Sequence, residues 1–427
     1  MDTLINQVMT WIWKPISQIY DDAYEEARNL KAIEIYNGLA EVEAGFYKYP
    51  SVNLNILPSS GCSHRIKNNI MSGCSMCNYQ SDFAKSEGYM KALREKDANL
   101  YTDVIIRAFK KARTDNLIPN KKEMLSTYDG FDSFEMPNEL IDKLWDVNSF
   151  FKEQPFGVVV QVRAESVTEE KLDKLINTLP KRTRITVEFG VECSNEFVRN
   201  NWLNKNTFNR QIEEAIRLVR KKGLTVQCNM LIGMPGLTEE VSKKLAVETI
   251  FYLDDLKVDK IVVLPLNRKK YTLQWFIYEH LKDNKNLKEL GIAQEEHTGI
   301  PWLYTVYETI YQVYLSRPYL MPKLLISQMS ESNNMIDNDI CYNKDSKCIC
   351  NGEVKDIILN HKSAEELLMF KDKVYNDSCS CADSYFKLLK LQEKAGDAKN
   401  VAYIIMDEIK KEMMALGYTE KFIDMSR

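Results

Sequence analysis

The sequence predicts an α/β protein whose core is a parallel sheet of six β/α units, either open or curled into a partial (β/α)6 barrel similar in architecture to a TIM barrel; we expect the partial barrel. Two observations support this prediction. Six apolar runs of strand length recur between residues 51 and 266, and segments with apolar residues at helical spacing lie between them. Such alternation is typical of a parallel sheet covered by helices, so we expect functional residues in the loops at the carboxyl ends of the strands.

The strands are predicted from short apolar runs that end in polar or glycine-containing loops. Their expected ranges are 51–57, 122–128, 157–162, 183–192, 224–233 and 259–266. Helical spacing predicts helices over 100–112 and 169–179, and Gly223 is expected to end the helix before the fifth strand. Thr238 is expected to cap the helix after the fifth strand.

Three parts are expected along the chain. Residues 1–50 are predicted to form a helical extension, residues 51–324 the (β/α)6 core, and residues 325–427 a small cysteine-containing domain where the alternation fades. Because the N-terminus lacks the features of a signal peptide and no run of about eighteen apolar residues occurs, we expect a cytoplasmic protein without a membrane segment.

Charge and cysteine content narrow the expected functions. The net charge is -4, and no block of lysine and arginine stands out, so strong direct binding of nucleic acid is not expected. The chain has ten cysteines, which in a reducing compartment indicate metal or redox chemistry rather than disulfides. Cys193 and Cys228, inside or next to predicted strands, are expected to be buried apolar side chains.

Three cysteines occur in the loop after the first strand, with the spacing Cys62-x11-Cys74-x2-Cys77. Three thiolates can hold an iron-sulfur cube and leave one iron free for another ligand. A structural zinc ion prefers four ligands, and His64 could be the fourth. The residues by themselves leave both kinds of metal site open.

Several segments in the same order along the chain carry a family resemblance. They are GCSMCNY (73–79), STYDGFDSFEMP (126–137), VQVRAESVTEEKL (160–172), FGVECSNEFVR (189–199), NMLIGMPGLTEEV (229–241) and VLPLNRKKYTL (263–273). Together they resemble the radical S-adenosylmethionine (SAM) superfamily, in particular the radical SAM subunit of archaeosine synthase and, more distantly, the Elongator-type catalytic subunits. The cysteine spacing departs from the commonest pattern of that superfamily, Cys-x3-Cys-x2-Cys.

The resemblance implies a cofactor set and a reaction class. Cys62, Cys74 and Cys77 would bind a 4Fe-4S cluster that cleaves SAM reductively, and the resulting 5'-deoxyadenosyl radical would abstract hydrogen from a substrate. The implied substrates are a lysine-derived or tRNA-linked adduct, a small natural product or a peptide. The implied partners are a flavodoxin or ferredoxin reductant and a subunit that delivers the substrate. The implied SAM contacts are Met76, Asp129, Gly130, Glu188, Glu192, Gly233 and Asn267.

Some of these residues also have purely structural interpretations. Arg163 and Glu165, at the end of the third strand, are catalytic candidates together with Glu192, but the two could form only a salt bridge. Glu188 could be a surface carboxylate at a strand end. Asp129-Gly130 could be an ordinary turn.

The C-terminal part contains five further cysteines, Cys341, Cys348, Cys350, Cys379 and Cys381. They resemble the C-terminal end of the archaeosine synthase subunit. Their concentration predicts a second metal centre near the substrate side of the barrel, made of Cys341, Cys348, Cys350 and at least one of the last two. An iron-sulfur cluster is favoured over zinc, and free cysteines are the alternative.

A second function from a different class fits the same sequence. A zinc-stabilised binding or scaffold protein on a degenerate radical SAM barrel would keep the fold and carry no activity. The colour of the purified protein separates the two functions, because an iron-sulfur cube is brown and zinc is colourless.

Overall fold

The fold is taken from a computed structural model of the chain. It describes residues 3–43, 45–48, 52–56, 58–67, 70–78, 81–115, 124–127, 134, 157–179, 181, 183–327, 341–360, 367, 374–375 and 379–423.

One large sheet forms the centre of this part of the chain. Its eight strands are β1 (Gly45–Lys48), β2 (Val52–Ile56), β5 (Met124–Thr127), β6 (Gly157–Val162), β7 (Arg184–Glu192), β8 (Thr225–Ile232), β9 (Lys260–Pro265) and β10 (Leu324–Ile326), paired in that order. β1 and β2 are antiparallel, and all the other neighbours are parallel. Two further short strands, β3 (Ile66–Lys67) and β4 (Ile70–Met71), form a separate hairpin.

The sheet confirms the predicted fold class. All six predicted strands are present. In the described part of the chain, seven parallel strands follow chain order and the edge strands β1 and β10 do not pair with each other, which is the topology of a barrel that is left open. Two edge strands were not expected. β1 lies inside the segment predicted to be helical, and β10 begins at the predicted end of the core.

Helices follow or precede these strands. In the described residues they are α1 (Leu4–Arg28), α2 (Ala32–Gly38), α3 (Ala84–Lys96), α4 (Ala98–Asp115), α5 (Glu169–Thr178), α6 (Asn209–Lys221), α7 (Glu239–Asp255), α8 (Leu273–Leu281), α9 (Lys285–Glu289), α10 (Leu303–Ser316), α11 (Cys350–Leu359), α12 (Cys381–Gln392) and α13 (Ala398–Ala415). None of these helices combines the length and apolar character that crossing a membrane requires.

The start of α7 differs from the prediction. Thr238 occupies the cap position, but its side chain makes no capping hydrogen bond. Gln392, the last residue of α12, accepts the backbone N–H of Glu239 through Oε1 at 2.9 Å. A distant helix therefore caps α7, because its amide reaches an N–H that Thr238 leaves unpaired.

The C-terminal segment shares its apolar cores with the rest of the protein. Cys341, Cys350 and Tyr385 belong to the same core as the strand residues Val187 and Val263. The first and last long helices, α1 and α13, share a second core with residues near the carboxyl end of β8, such as Leu231 and Met234. Both chain ends thus pack around the edge of the sheet where function is expected.

Candidate cofactor and metal sites

A hairpin explains the long spacing between the first two cysteines of the loop. β3 and β4 pair directly between Cys62 and Cys74, and the N–H of Ser72 donates to the carbonyl of Arg65 at 2.9 Å. Because a hairpin returns the chain to its starting point, the residues before and after it lie side by side. The hairpin therefore takes up part of the long segment between Cys62 and Cys74, and these two thiols still influence each other electrostatically.

Hydrogen bonds hold the loop against segments that follow two other strands. Ser75 donates its hydroxyl to the carbonyl of Trp202 at 2.8 Å and its N–H to that of Leu203 at 2.9 Å. The carbonyl of Ser75 accepts the N–H of Leu273 at 2.7 Å. Asn204 donates through Nδ2 to the carbonyl of Gly73 at 2.7 Å. The position of the loop thus depends on the chain after β7 and after β9.

Arg65 fixes the inner side of the loop. Its side chain is buried, and it donates to the carbonyls of Ser72 at 3.2 Å and of Cys77 at 2.7 Å. The guanidinium carbon lies 3.7 Å from the centre of the Trp13 ring, which is a cation–π contact with α1. Gly73, with φ at +73°, leaves room for this side chain, because a Cβ there would lie 3.0 Å from the guanidinium carbon.

The three thiols are half-buried, and Cys74 is within electrostatic reach of both Cys62 and Cys77. Burial raises the pKa of Cys62 to about 11, with Arg163 opposing the shift and Cys74 adding to it. Burial also raises the pKa of Cys74, opposed by Lys205 and Arg163 and reinforced by Cys77. Without a metal these two thiols stay protonated near neutral pH, and a bound metal would deprotonate them.

Glu192 and Lys205 form an ion pair beside this loop. The Nζ–Oε1 distance is 2.9 Å, and the two side chains are only 9% and 10% exposed. Burial by itself lowers the pKa of Lys205, but Glu192 and Cys74 outweigh it, so the net shift is upward. Lys205 thus connects the predicted SAM contact Glu192 electrostatically with Cys74, a predicted cluster ligand.

The backbone of β7 is shaped for this ion pair. The register with β8 shifts between Gly190 and Glu192, and Glu192 has a φ of +63°, which is unusual for a residue with a side chain. A Cβ at Gly190 would lie 2.5 Å from Glu192 Oε1 and 2.7 Å from Lys205 Nζ. The β-bulge and the glycine together place both charged groups on one side of the strand.

Arg163 and Glu165 form the salt bridge that was one of their two interpretations. Arg163 Nε lies 2.5 Å from Glu165 Oε1, and its Nη2 donates to the carbonyl of Lys205 at 2.6 Å. Thr207 connects both residues through its hydroxyl. Burial alone would lower the pKa of Arg163, but Glu165, Cys74 and Cys62 raise it overall, so the guanidinium stays charged. Contact of either residue with substrate stays a prediction.

Glu188 is buried inside the sheet and is not a surface carboxylate. Its carboxylate accepts hydrogen bonds from the side-chain amides of Gln161 and Gln227, its direct neighbours on β6 and β8, and from Asn229 at 2.8 Å. Burial raises its pKa, and the three amides oppose that shift. A contact of Glu188 with SAM stays a prediction, and in the structure its carboxylate joins three adjacent strands.

Unpaired buried acceptors lie near the other predicted SAM contacts. The side-chain oxygens of Asn229 and Asn267 are buried without a hydrogen-bond partner in the described part of the chain. A buried oxygen without a hydrogen-bond donor lowers the stability of the fold unless a ligand or water pairs with it. These oxygens are therefore suited to accept hydrogen bonds from a polar cofactor. Gly233 has a φ of +84° and packs against Pro301. Met76 is half-buried and packs against the second apolar core.

Two predicted SAM contacts, Asp129 and Gly130, lie outside the described residues. The remaining residues fit the implied cofactors in donor chemistry: three thiols for a cluster, a carboxylate and an ammonium for the SAM zwitterion, and amide oxygens for its ribose or adenine.

His64 does not complete a zinc site with the three loop cysteines. Its Nε2 donates to the carbonyl of Asn204 at 2.6 Å. In the residues that the structure describes, a compact group of ligating side chains, with ligand atoms within 4.8 Å of one another, forms elsewhere. A tetrahedral zinc site made of the three loop cysteines and His64 is thus not formed.

That compact group consists of Cys348, Cys350, Cys379 and Cys381, whose sulfur atoms all lie within 4.8 Å of one another. Cys341 is not a member, which corrects the predicted ligand set. It is 1% exposed and packs among apolar side chains of the main core. Cys193 and Cys228 are buried as predicted, and all ten cysteines are free thiols.

Sequence reasoning missed Arg65 and Lys205, two basic residues whose charges act on the thiols of the loop. A signal for Lys205 exists, since it stands between Asn204 and Asn206, with φ values of +53° and +54°. Asparagine is the residue with a side chain that most readily adopts this conformation, so Asn-Lys-Asn marks a tight bend that can aim a side chain inward.

Comparison with known proteins agrees with the resemblance. No protein-family profile matches the chain. It is 22% identical over 339 residues to an uncharacterized protein of Methanocaldococcus jannaschii, covering 79% of this chain and 82% of that one. It is also 22% identical over 329 residues to archaeosine synthase subunit beta of Methanosarcina acetivorans, covering 75% and 81%. The chain is similar to archaeosine synthase subunit beta.

This similarity confirms the resemblance that the six sequence segments carry. Among solved structures, the Elp3 protein of Methanocaldococcus infernus, lacking its N-terminus, has a TM-score of 0.41 and 16% identity. That alignment covers 65% of this chain and 61% of the other, which is less than two thirds of its length.

Proposed function

We propose that this protein is a radical SAM enzyme that binds a 4Fe-4S cluster through Cys62, Cys74 and Cys77. The observation that carries the proposal is the construction of the cysteine loop. A hairpin folds the long segment between Cys62 and Cys74 after β2, and the cations Arg65, Arg163 and Lys205 act electrostatically on the loop thiols. Basic groups next to three thiolates would offset the negative charge of a bound cluster.

A reduced cluster of this kind supplies the electron that splits SAM and yields a hydrogen-abstracting radical. The side chains around it have separate tasks. Lys205 and Glu192 can bind the carboxylate and the ammonium of SAM, respectively. Asn267 and Asn229 can accept hydrogen bonds through their unpaired side-chain oxygens. Asp129 and Gly130 are proposed to contact the amino group of SAM.

The proposed reaction is a lyase step or a rearrangement. The similarity to archaeosine synthase subunit beta supports a lysine-derived or tRNA-linked substrate over a small natural product or a peptide. Because the net charge of -4 disfavours independent capture of tRNA, we propose that a partner subunit delivers the substrate. A flavodoxin or ferredoxin in the cytoplasm would supply the electrons.

The test replaces Cys62, Cys74 and Cys77 one at a time with alanine. Each variant is purified without oxygen, reconstituted with iron and sulfide, reduced with dithionite and assayed for 5'-deoxyadenosine. We expect each substitution to abolish the product, because two thiolates cannot replace three in holding the cube. The control is Cys228→Ala, which removes a fully buried thiol of β8 and should keep the activity. Undiminished product in any of the three variants would contradict the assignment.

The absorption spectrum separates this enzyme from a zinc-stabilised scaffold. Anaerobic wild type should be brown and lose its colour when reduced. A colourless protein that contains zinc but no iron, and that forms no 5'-deoxyadenosine after reconstitution, would favour the scaffold.

A further inference from the structure

Four thiols of the C-terminal segment form a second site. Cys348 and Cys350 are separated by one residue, as are Cys379 and Cys381, and all four sulfur atoms lie within 4.8 Å of one another. Cys350 begins α11 and Cys381 begins α12. The two pairs, about thirty residues apart in sequence, thus meet where two helices start.

The distance between the sulfurs indicates what this group can hold. In a tetrahedral Zn²⁺ site with Zn–S bonds of about 2.3 Å, the sulfurs lie about 3.8 Å apart. A 4Fe-4S cube binds its thiolates on separate irons and holds them farther apart. Four thiolates around one ion also fill the tetrahedral shell, which is the pattern of a structural site. We infer that Cys348, Cys350, Cys379 and Cys381 bind a single zinc ion.

Surrounding groups orient one of the ligands. Asn343, which is fully buried, directs its Nδ2 to the sulfur of Cys350 at 3.5 Å. Its Oδ1 accepts the N–H of Tyr304 at 3.2 Å, and its own N–H donates to Asn351 Oδ1 at 2.8 Å. One asparagine thus connects a ligand with α10 and α11, as outer-shell groups do in metal sites. The positive ends of α11 and α12 also favour thiolates at their first residues.

The zinc ion would also stabilise the position of a helix that supports the barrel. It fixes the start of α12, and that helix reaches the start of α7 through Tyr385, by way of Thr305, and directly through Gln392. Tyr385 pairs its hydroxyl with that of Thr305 at 3.0 Å, and Thr305 donates to Glu239 Oε2 at 2.5 Å. Gln392 accepts the N–H of Glu239. The loop with Gly233 ends at this point, so the ion secures a helix that supports a predicted SAM-binding loop.

Metal analysis tests the inference independently of the proposed activity. The protein lacking Cys62, Cys74 and Cys77, all replaced by alanine, is produced in medium that supplies both iron and zinc and is purified without oxygen. We expect about one zinc per chain, no acid-labile sulfide, and an X-ray absorption spectrum with four sulfur neighbours at one distance. Iron with sulfide in this variant, or no stoichiometric metal, would overturn the zinc site.

Two further substitutions in this variant test the ligand set. Cys350→Ala should lose zinc, whereas the matched control Cys341→Ala, which removes a buried cysteine outside the group, should keep it. Equal loss in both variants would overturn the ligand assignment. Should Cys350→Ala not fold, a mercurial titration of the Cys62, Cys74 and Cys77 variant gives the same information. We expect one zinc to be released as four thiols react, and release with fewer or more thiols would contradict four-fold ligation.

Discussion

Lys205 and Glu192 face each other at 2.9 Å across the β-bulge of β7, and Lys205 also acts on Cys74. Residues from two places in the sequence therefore share one buried charge system with the cysteine loop. A buried charge without a partner raises the free energy of the folded protein. We therefore expect substitutions in this ion pair to weaken cofactor binding.

Glu192→Gln is expected to bind SAM about 5- to 140-fold more weakly while keeping its iron. The amide loses a charge-assisted hydrogen bond, typically about 1 to 3 kcal/mol, and leaves Lys205 without its counter-ion. Isothermal titration of SAM into the reconstituted anaerobic protein measures this. Glu240→Gln, which neutralises an exposed carboxylate of α7, is the control. Unchanged SAM affinity in Glu192→Gln would assign Glu192 a structural role only.

Gly190→Ala is expected to disturb the same ion pair without removing either charge. The new Cβ would lie 2.5 Å from Glu192 Oε1 and 2.7 Å from Lys205 Nζ, so both side chains must move. We expect weaker SAM binding and a loss of about 1 to 3 kcal/mol in the free energy of unfolding. Gly38→Ala is the matched control, because a Cβ there meets no atom within 4 Å. Similar behaviour of the two variants would refute the packing argument.

Asn204→Ala and Asn206→Ala separate backbone strain from loop anchoring. Both residues have φ near +54°, so each substitution should cost about 1 kcal/mol through the left-handed conformation. Asn204 is buried and donates to the carbonyl of Gly73, whereas Asn206 is exposed. We expect reduced iron and sulfide content after reconstitution only in Asn204→Ala. Equal iron content in the two variants would show that this hydrogen bond does not hold the cysteine loop.

Glu239→Gln is expected to remove a pH dependence of stability. Burial raises the pKa of Glu239 to about 7, from an ordinary value near 4.5. Between these values the folded protein holds a proton that the unfolded chain releases, so the stability of the wild type falls as pH rises through this window. The free energy of unfolding of the variant, relative to that of the wild type, should therefore rise by up to about 3 kcal/mol between about pH 4.5 and pH 7.

Denaturant unfolding of both proteins across this pH range measures the difference, and subtracting the curves cancels other titrating groups, such as His297, whose pKa burial lowers to about 4. A constant difference for Glu239→Gln would mean that Glu239 titrates normally.

The positions of the central strands were accessible from the sequence because β6, β7 and β8 are rich in apolar residues and are buried along most of their length. The edge strands β1 and β10 were missed, since three or four residues carry no periodicity of their own and depend on a neighbour for pairing. Thr238 is the N-cap residue of α7 as expected, but the side-chain hydrogen bond at that helix start was missed for a similar reason. Thr238 has the preferred residue type, yet Gln392, 153 residues further along, supplies the hydrogen bond.

By itself the sequence determined the alternating α/β architecture, the three cysteines of the first loop and a concentration of cysteines near the C-terminus. These are properties of residue type and local spacing. Only the tertiary structure decided that a hairpin absorbs the long cysteine spacing, that Lys205 and Arg65 act on the thiols, and that Cys341 is packed in the core while four other thiols meet. Each of these depends on contacts between distant segments, and their geometry is set by how helices and loops pack on the sheet.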